Sequence, residues 1–142
     1  MFKLENCVSY IATNASKDLA EGFDKKLKAH GITRVQWTAL YYIGRDEEMS
    51  QKQLSDLMRI KESSTTRLID RMEKEGLIQR KSDPENRRKV SLGLTEKGRR
   101  LRKNSLHYGE EYSDYISKDI SEEEMEIFMK VLDFMRKRAN EY

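Results

Sequence analysis

The chain has 142 residues, 37% apolar and 37% charged, with one proline and a formal net charge of +3. That length suits a single domain spanning 1–142 and is short for two, and the composition fits a mainly helical protein with a heavily solvated surface. No run approaches the roughly 18 apolar residues of a membrane span, and the first residues lack the basic and apolar regions of a leader, so a cytoplasmic protein with no membrane role is expected.

In chain order, Leu4, Val8, Ile11, Ala15, Leu19, Phe23 and Leu27 recur at steps of three and four. They predict one apolar stripe on a first helix of about 25 residues, stopped near His30-Gly31. Thr33-Arg34-Val35-Gln36 has the spacing of a capping box and opens a second helix, with Val35, Leu40 and Ile43 facing inward. Ser50-Gln51-Lys52-Gln53 repeats the box before a two-turn third helix whose inner face is Leu54, Leu57 and Met58. After a turn around Arg59-Ile60-Lys61, Ser63-Ser64-Thr65-Thr66 is expected to open a fourth helix with Leu68, Ile69 and Met72 inside and its small polar residues outside. Gly76 closes that helix.

Leu77–Lys81 and Lys89–Leu94 are the strand candidates, and Asp83-Pro84-Glu85-Asn86-Arg87-Arg88 is the turn between them. Thr95 can cap a fifth helix running toward Tyr115. Ser121-Glu122-Glu123-Glu124 is a third capping box, and Ile127, Phe128, Val131, Leu132 and Met135 form the stripe of a sixth helix. The fold expected is therefore mainly α with a small β-hairpin wing, a six-helix winged helix-turn-helix.

The charge is unevenly spread. From Arg71 to Lys103 there are 12 basic and 5 acidic residues, a net +7, and the remainder carries −4, so attraction for a polyanion is focused on one segment. A helix docking in the major groove of double-stranded DNA needs short polar side chains at its leading end, which Ser63, Ser64, Thr65 and Thr66 supply. Arg67 and Arg71 share a face with Ser63 by four-residue spacing, and Arg67 is the expected base contact. Arg87 and Arg88, with Asn86 and Lys89 beside them at the hairpin tip, suit a narrow minor groove. Lys89 and Arg80 are expected to meet flanking phosphates.

The first and last helices carry more apolar surface than one copy needs. Tyr108, Tyr112, Tyr115, Ile116, Ile120 and the last stripe suit a twofold homodimer that holds two recognition helices roughly 34 Å apart on a palindrome. Tyr10, Trp37, Tyr41 and Tyr108 are a candidate pocket for a small aromatic or amphipathic effector. Cys7 cannot form an internal disulfide, and His30 and His107 lack metal-ligand spacing. No cofactor, metal site or catalytic constellation is expected, and hence no enzyme.

Thr66-Arg67-Leu68-Ile69-Asp70-Arg71-Met72-Glu73-Lys74-Glu75-Gly76-Leu77-Ile78, Asp83-Pro84-Glu85-Asn86-Arg87-Arg88 and Leu94-Thr95-Glu96-Lys97-Gly98 together resemble the MarR family of bacterial transcriptional regulators. The resemblance implies a core at about 33–98 and dimerisation helices at about 2–30 and 95–141 that intertwine two copies. It also implies palindrome binding, usually repression, and release of DNA by a small molecule or oxidant. By position it puts Ser63, Ser64, Thr66, Arg67 and Arg71 on the recognition helix, Arg88 at the wing arginine, and Ser50 and Gln51 at phosphates. Asn86 stands where the family often has Asp, and Arg59 where it often has Gly. The alternatives are a redox sensor acting through Cys7, in which a peroxide-reactive thiol governs DNA release, and a winged-helix protein-interaction module that does not bind DNA.

Overall fold

The structure, a computed structural model, describes all 142 residues. A 3-10 turn at Leu4–Asn6 precedes α1 (Val8–Lys28), α2 (Arg34–Arg45), α3 (Gln51–Met58), α4 (Glu62–Lys74), β1 (Ile78–Ser82), β2 (Val90–Leu94), α5 (Glu96–Ser117) and α6 (Glu122–Glu141). Six helices and one antiparallel hairpin are thus present, as the apolar periodicities require. Backbone contacts divide the chain into two compact units, Met1–Glu110 and Glu111–Tyr142. No helix is long and apolar enough to cross a membrane.

In the first unit the local signals fix most helix starts. The hydroxyls of Thr33 and Ser50 each accept the amide of the residue three on, and the Gln side chains at those positions accept the cap amides in return. Gly31 and Gly76 adopt the left-handed backbone that ends α1 and α4. The first helix departs from expectation: Cys7 is extended (ψ 114°), so the chain ahead of it forms a separate turn and α1 begins at Val8. The stripe on α1 meets the core only at its end, where Leu27 is fully buried, whereas Leu4, Val8, Ile11 and Leu19 are exposed.

The core gathers α2, α3, α4 and the hairpin around Leu40, Ile43, Leu54, Ile69, Met72 and Leu92. Two residues expected inside lie outside. Val35 is exposed because the inward place on that turn belongs to Gln36, whose amide donates to Glu75 at 2.9 Å. Leu57 is exposed because Ser55, beside Leu54, occupies the buried face of α3. The strands pair from Ile78 opposite Leu94 to Ser82 opposite Val90, and the amide of Leu92 donates to the carbonyl of Met49 at 2.8 Å, which ties the hairpin to the loop before α3.

In the second unit, Ser121 completes a third capping box, and Asp119 takes a left-handed backbone between the two helices. On α6, Lys137 lies 2.9 Å from Asp133, and its hydrogen bond holds that carboxyl below its ordinary value. Ile127, Phe128, Val131 and Phe134 are exposed.

Candidate nucleic-acid interface

The α3–α4 pair is built around a turn that demands a left-handed residue, and Arg59 supplies it at φ 56° and ψ 43°. Side chains other than Gly reach this region at a cost. Arg59, where a glycine was expected to be usual, therefore takes the left-handed conformation itself.

Behind the turn, two buried hydroxyls lock the helices together. Thr65 Oγ1 donates to the carbonyl of Lys61 at 3.1 Å and lies 2.8 Å from Ser55 Oγ, which is also 3.0 Å from the carbonyl of Gln51. Thr65 is fully buried. This corrects its expected place on the recognition surface: it stands three, four and seven residues before Leu68, Ile69 and Met72, on the core stripe of α4. The helix also opens one residue earlier than expected. Glu62 occupies its first turn and Lys61 gives no side-chain cap, an arrangement the helix dipole favours.

The remaining recognition residues, Ser63, Ser64, Thr66, Arg67 and Arg71, face solvent on α4. Arg71 reaches Glu75 at 3.4 Å one turn on, while Arg67 has no acidic partner in the chain. Gln51 donates its side-chain amide to Thr66 Oγ1 at 2.6 Å, and that hydroxyl lies 3.0 Å from the Glu62 carbonyl. Gln51, a candidate phosphate contact, therefore also links the start of α3 to α4. Ser50, the other candidate, caps α3 by accepting the Gln53 amide at 3.1 Å.

The wing is braced against the recognition helix by a residue expected to do something else. Arg80 lies 2.6 Å from Asp70 and 2.9 Å from Glu73, and its side chain is only 28% exposed. The Arg80 amide adds a bond to Glu73 at 3.3 Å. With its charge matched by two carboxylates of α4, Arg80 joins β1 to the recognition helix. Asp70 and Glu73 were missed in the sequence, although their three-residue spacing places both on one helix face. Asp70 also stands three residues after Arg67, so the brace brings the wing alongside the surface that carries Arg67.

At the tip, hydrogen bonds fix the turn while the cations stay free. Asp83 accepts the Glu85 amide at 2.9 Å, Asn86 Oδ1 accepts the Arg88 amide at 3.2 Å, and the Asp83 amide donates to the Lys89 carbonyl at 3.1 Å. Asn86 thus orders the backbone below Arg88 without any charge. Arg87, Arg88 and Lys89 are exposed. Elsewhere the basic segment is partly engaged: Lys97 donates to the Glu75 carbonyl at 2.8 Å, and Arg102 donates to the carbonyls of Leu40 and Tyr41 at 3.0 and 3.2 Å.

The four aromatic residues expected to line a pocket lie on α1, α2 and α5. Trp37 packs edge-on to Phe23, stacks on Tyr41 and donates to the Ser105 carbonyl at 2.8 Å. Tyr108 stacks on His30 with centroids 4.1 Å apart and has its hydroxyl 3.0 Å from Nδ1. Tyr10 is exposed on α1. A cavity of about 450 Å³ lies among α2, the hairpin and the start of α5. Cys7 is half-buried at the junction ahead of α1, and no group of three or more His, Cys, Asp or Glu is placed to hold a metal ion.

Comparison with known proteins agrees with this geometry. The MarR family model matches residues 32–90, which run from the segment after α1 to the first residue of β2. YsmB of Bacillus subtilis (strain 168), an uncharacterized HTH-type transcriptional regulator, is 34% identical over 106 residues, covering 75% of this chain and 73% of YsmB. Among solved structures, the MepR–DNA complex of S. aureus superposes with a TM-score of 0.84 at 23% identity, covering 95% of this chain and 98% of MepR. CouR from Rhodococcus jostii RHA1, bound to p-coumaroyl-CoA, gives 0.77 at 21%, covering 98% and 93%. These two likenesses establish the winged-helix fold. The matched core and the similarity to YsmB place the chain among regulators rather than enzymes: it is a transcriptional regulator and belongs to the MarR family.

Proposed function

We propose that this chain is a cytoplasmic, homodimeric repressor that binds a palindromic operator and releases it when a small-molecule effector binds. The observation that carries the DNA-binding reading is the pairing of two surfaces. A helix with short hydroxyls and the unpartnered Arg67 stands beside a wing whose base is clamped by Arg80 and whose tip presents Arg87 and Arg88. Such a pair suits a major groove and the adjoining minor groove.

Dimerisation is supported by the unusual exposure of large apolar side chains: Leu4, Val8, Ile11 and Leu19 at one end of the chain, and Ile127, Phe128, Val131 and Phe134 at the other. Apolar faces of this extent mark interfaces. That MepR has been seen with DNA and CouR with a coenzyme A thioester supports the same assignment of partners here.

The test is a gel shift with duplexes selected by the protein from a random pool, using the native chain, Arg67→Ala and Arg88→Ala, with sedimentation equilibrium on all three. Selected duplexes should carry an inverted repeat. Both variants should bind more weakly while remaining dimeric, and unchanged binding would remove the roles given to these arginines.

A further inference from the structure

The exposed hydroxyl residues at the start of α4 are not equivalent. Ser63 and Ser64 keep their side-chain hydroxyls free of the rest of the chain. Thr66 is exposed as well, yet its hydroxyl is committed twice: it donates its proton to the Glu62 carbonyl at 3.0 Å, and its oxygen accepts the Gln51 side-chain amide at 2.6 Å.

A hydroxyl has one proton and two lone pairs. Thr66 therefore has no proton left for the acceptors that a duplex presents, which are the phosphate oxygens, N7 and O6 of guanine, N7 of adenine and O4 of thymine. The two bonds, one within α4 and one from α3, also hold a β-branched side chain to a single rotamer. The group that Thr66 has left to offer is its γ-methyl. On the major-groove edges of the four bases, the apolar partner for a methyl is the 5-methyl of thymine.

We propose that Thr66 selects a thymine in each half-site by packing its γ-methyl against the thymine 5-methyl, with Gln51 as the positioning residue that holds the methyl in place. Arg67, the next residue, has no acidic partner and is left for an acceptor-bearing edge, so the leading turns of α4 divide their reading between an apolar and a cationic side chain. The inference rests on the DNA-binding reading above and names a base that the recognition helix selects. Serine at position 66 would keep both hydrogen bonds and lose the selection.

The experiment is fluorescence anisotropy of the full chain on duplexes selected from a random pool, with each thymine of the half-sites replaced in turn by deoxyuridine, which lacks only the 5-methyl. The native chain is compared with Thr66→Ser and Gln51→Ala, the fold of each checked by its thermal melt. At one thymine per half-site, deoxyuridine should weaken native binding about fourfold for each half-site replaced, as loss of one buried methyl implies. Thr66→Ser should bind the thymine duplex more weakly by the same factor and no longer distinguish it from the deoxyuridine duplex. Gln51→Ala should lose part of the distinction; an equal loss of affinity for both duplexes would overturn its positioning role. If every deoxyuridine duplex binds the native chain as well as the parent does, or Thr66→Ser keeps the distinction, the methyl contact is overturned and the DNA-binding reading stands. Native affinity in Thr66→Ser would overturn it too, in favour of the remaining lone pair accepting from an adenine or cytosine amino group. If the pool yields no duplex at all, the DNA-binding reading fails and this inference with it.

Discussion

The base and the tip of the wing both carry arginine, and the two ends use it in opposite ways. At the base, Arg80 is three-quarters covered and shared between Asp70 and Glu73. At the tip, Arg87 and Arg88 stand on a turn ordered by Asp83 and Asn86, with their side chains in solvent. A net charge of +7 counted along this stretch therefore overstates what can meet a polyanion. What matters is which cations the fold leaves unmatched, and the matched one aims the others.

The largest effect is expected from a cation with no partner. Arg67→Ala should weaken operator binding by about ten- to a hundredfold, as loss of a base-reading contact of about 1–3 kcal/mol implies, and fluorescence anisotropy would measure it. A near-native affinity would show that the free face of α4 is not the reading face. Next comes the lock behind that face. Thr65→Val keeps the shape of the side chain and removes its hydroxyl, so thermal or denaturant unfolding should show a loss of about 1–2 kcal/mol. An unchanged midpoint would mean that the contact between Ser55 and Thr65 does not hold α3 to α4.

The brace sharpens the comparison further. Arg80→Ala leaves two carboxylates uncompensated beside the recognition surface, and affinity for DNA should fall several-fold through repulsion and a looser wing. Its effect on folding should be no more than about 1 kcal/mol, because Asp70 and Glu73 are well exposed. Asp70→Asn in the same background should restore part of the affinity, a result that loss of a direct phosphate contact would not give. The smallest effect expected is from Arg71→Ala, whose charge is already shared with Glu75. Its affinity should change by about threefold or less.

What could be read from the chain alone follows the range of the interactions. Capping boxes at Thr33, Ser50 and Ser121 span three residues and were legible, as were the glycine stops and the hairpin. Thr65 was legible too, had its spacing to Leu68, Ile69 and Met72 been weighed above its polarity. The partners of Arg80 were not, since they lie ten and seven residues away and meet it only once β1 folds back on α4. Val35 and Leu57 share a limit of another kind: a polar residue that finds a hydrogen-bond partner, Gln36 or Ser55, can take the buried place from an apolar neighbour. The aromatic residues of α2 and α5 gave no sign of whether they would line a space or fill one.

The central claim, that the wing's tip is free for DNA and its base is not, is tested most directly by the salt dependence of operator binding in two single variants. The slope of log affinity against log salt should fall by about one in Arg88→Ala and stay at the native value in Arg80→Ala, even though both bind more weakly. A reduced slope in Arg80→Ala, or a native one in Arg88→Ala, would contradict the account.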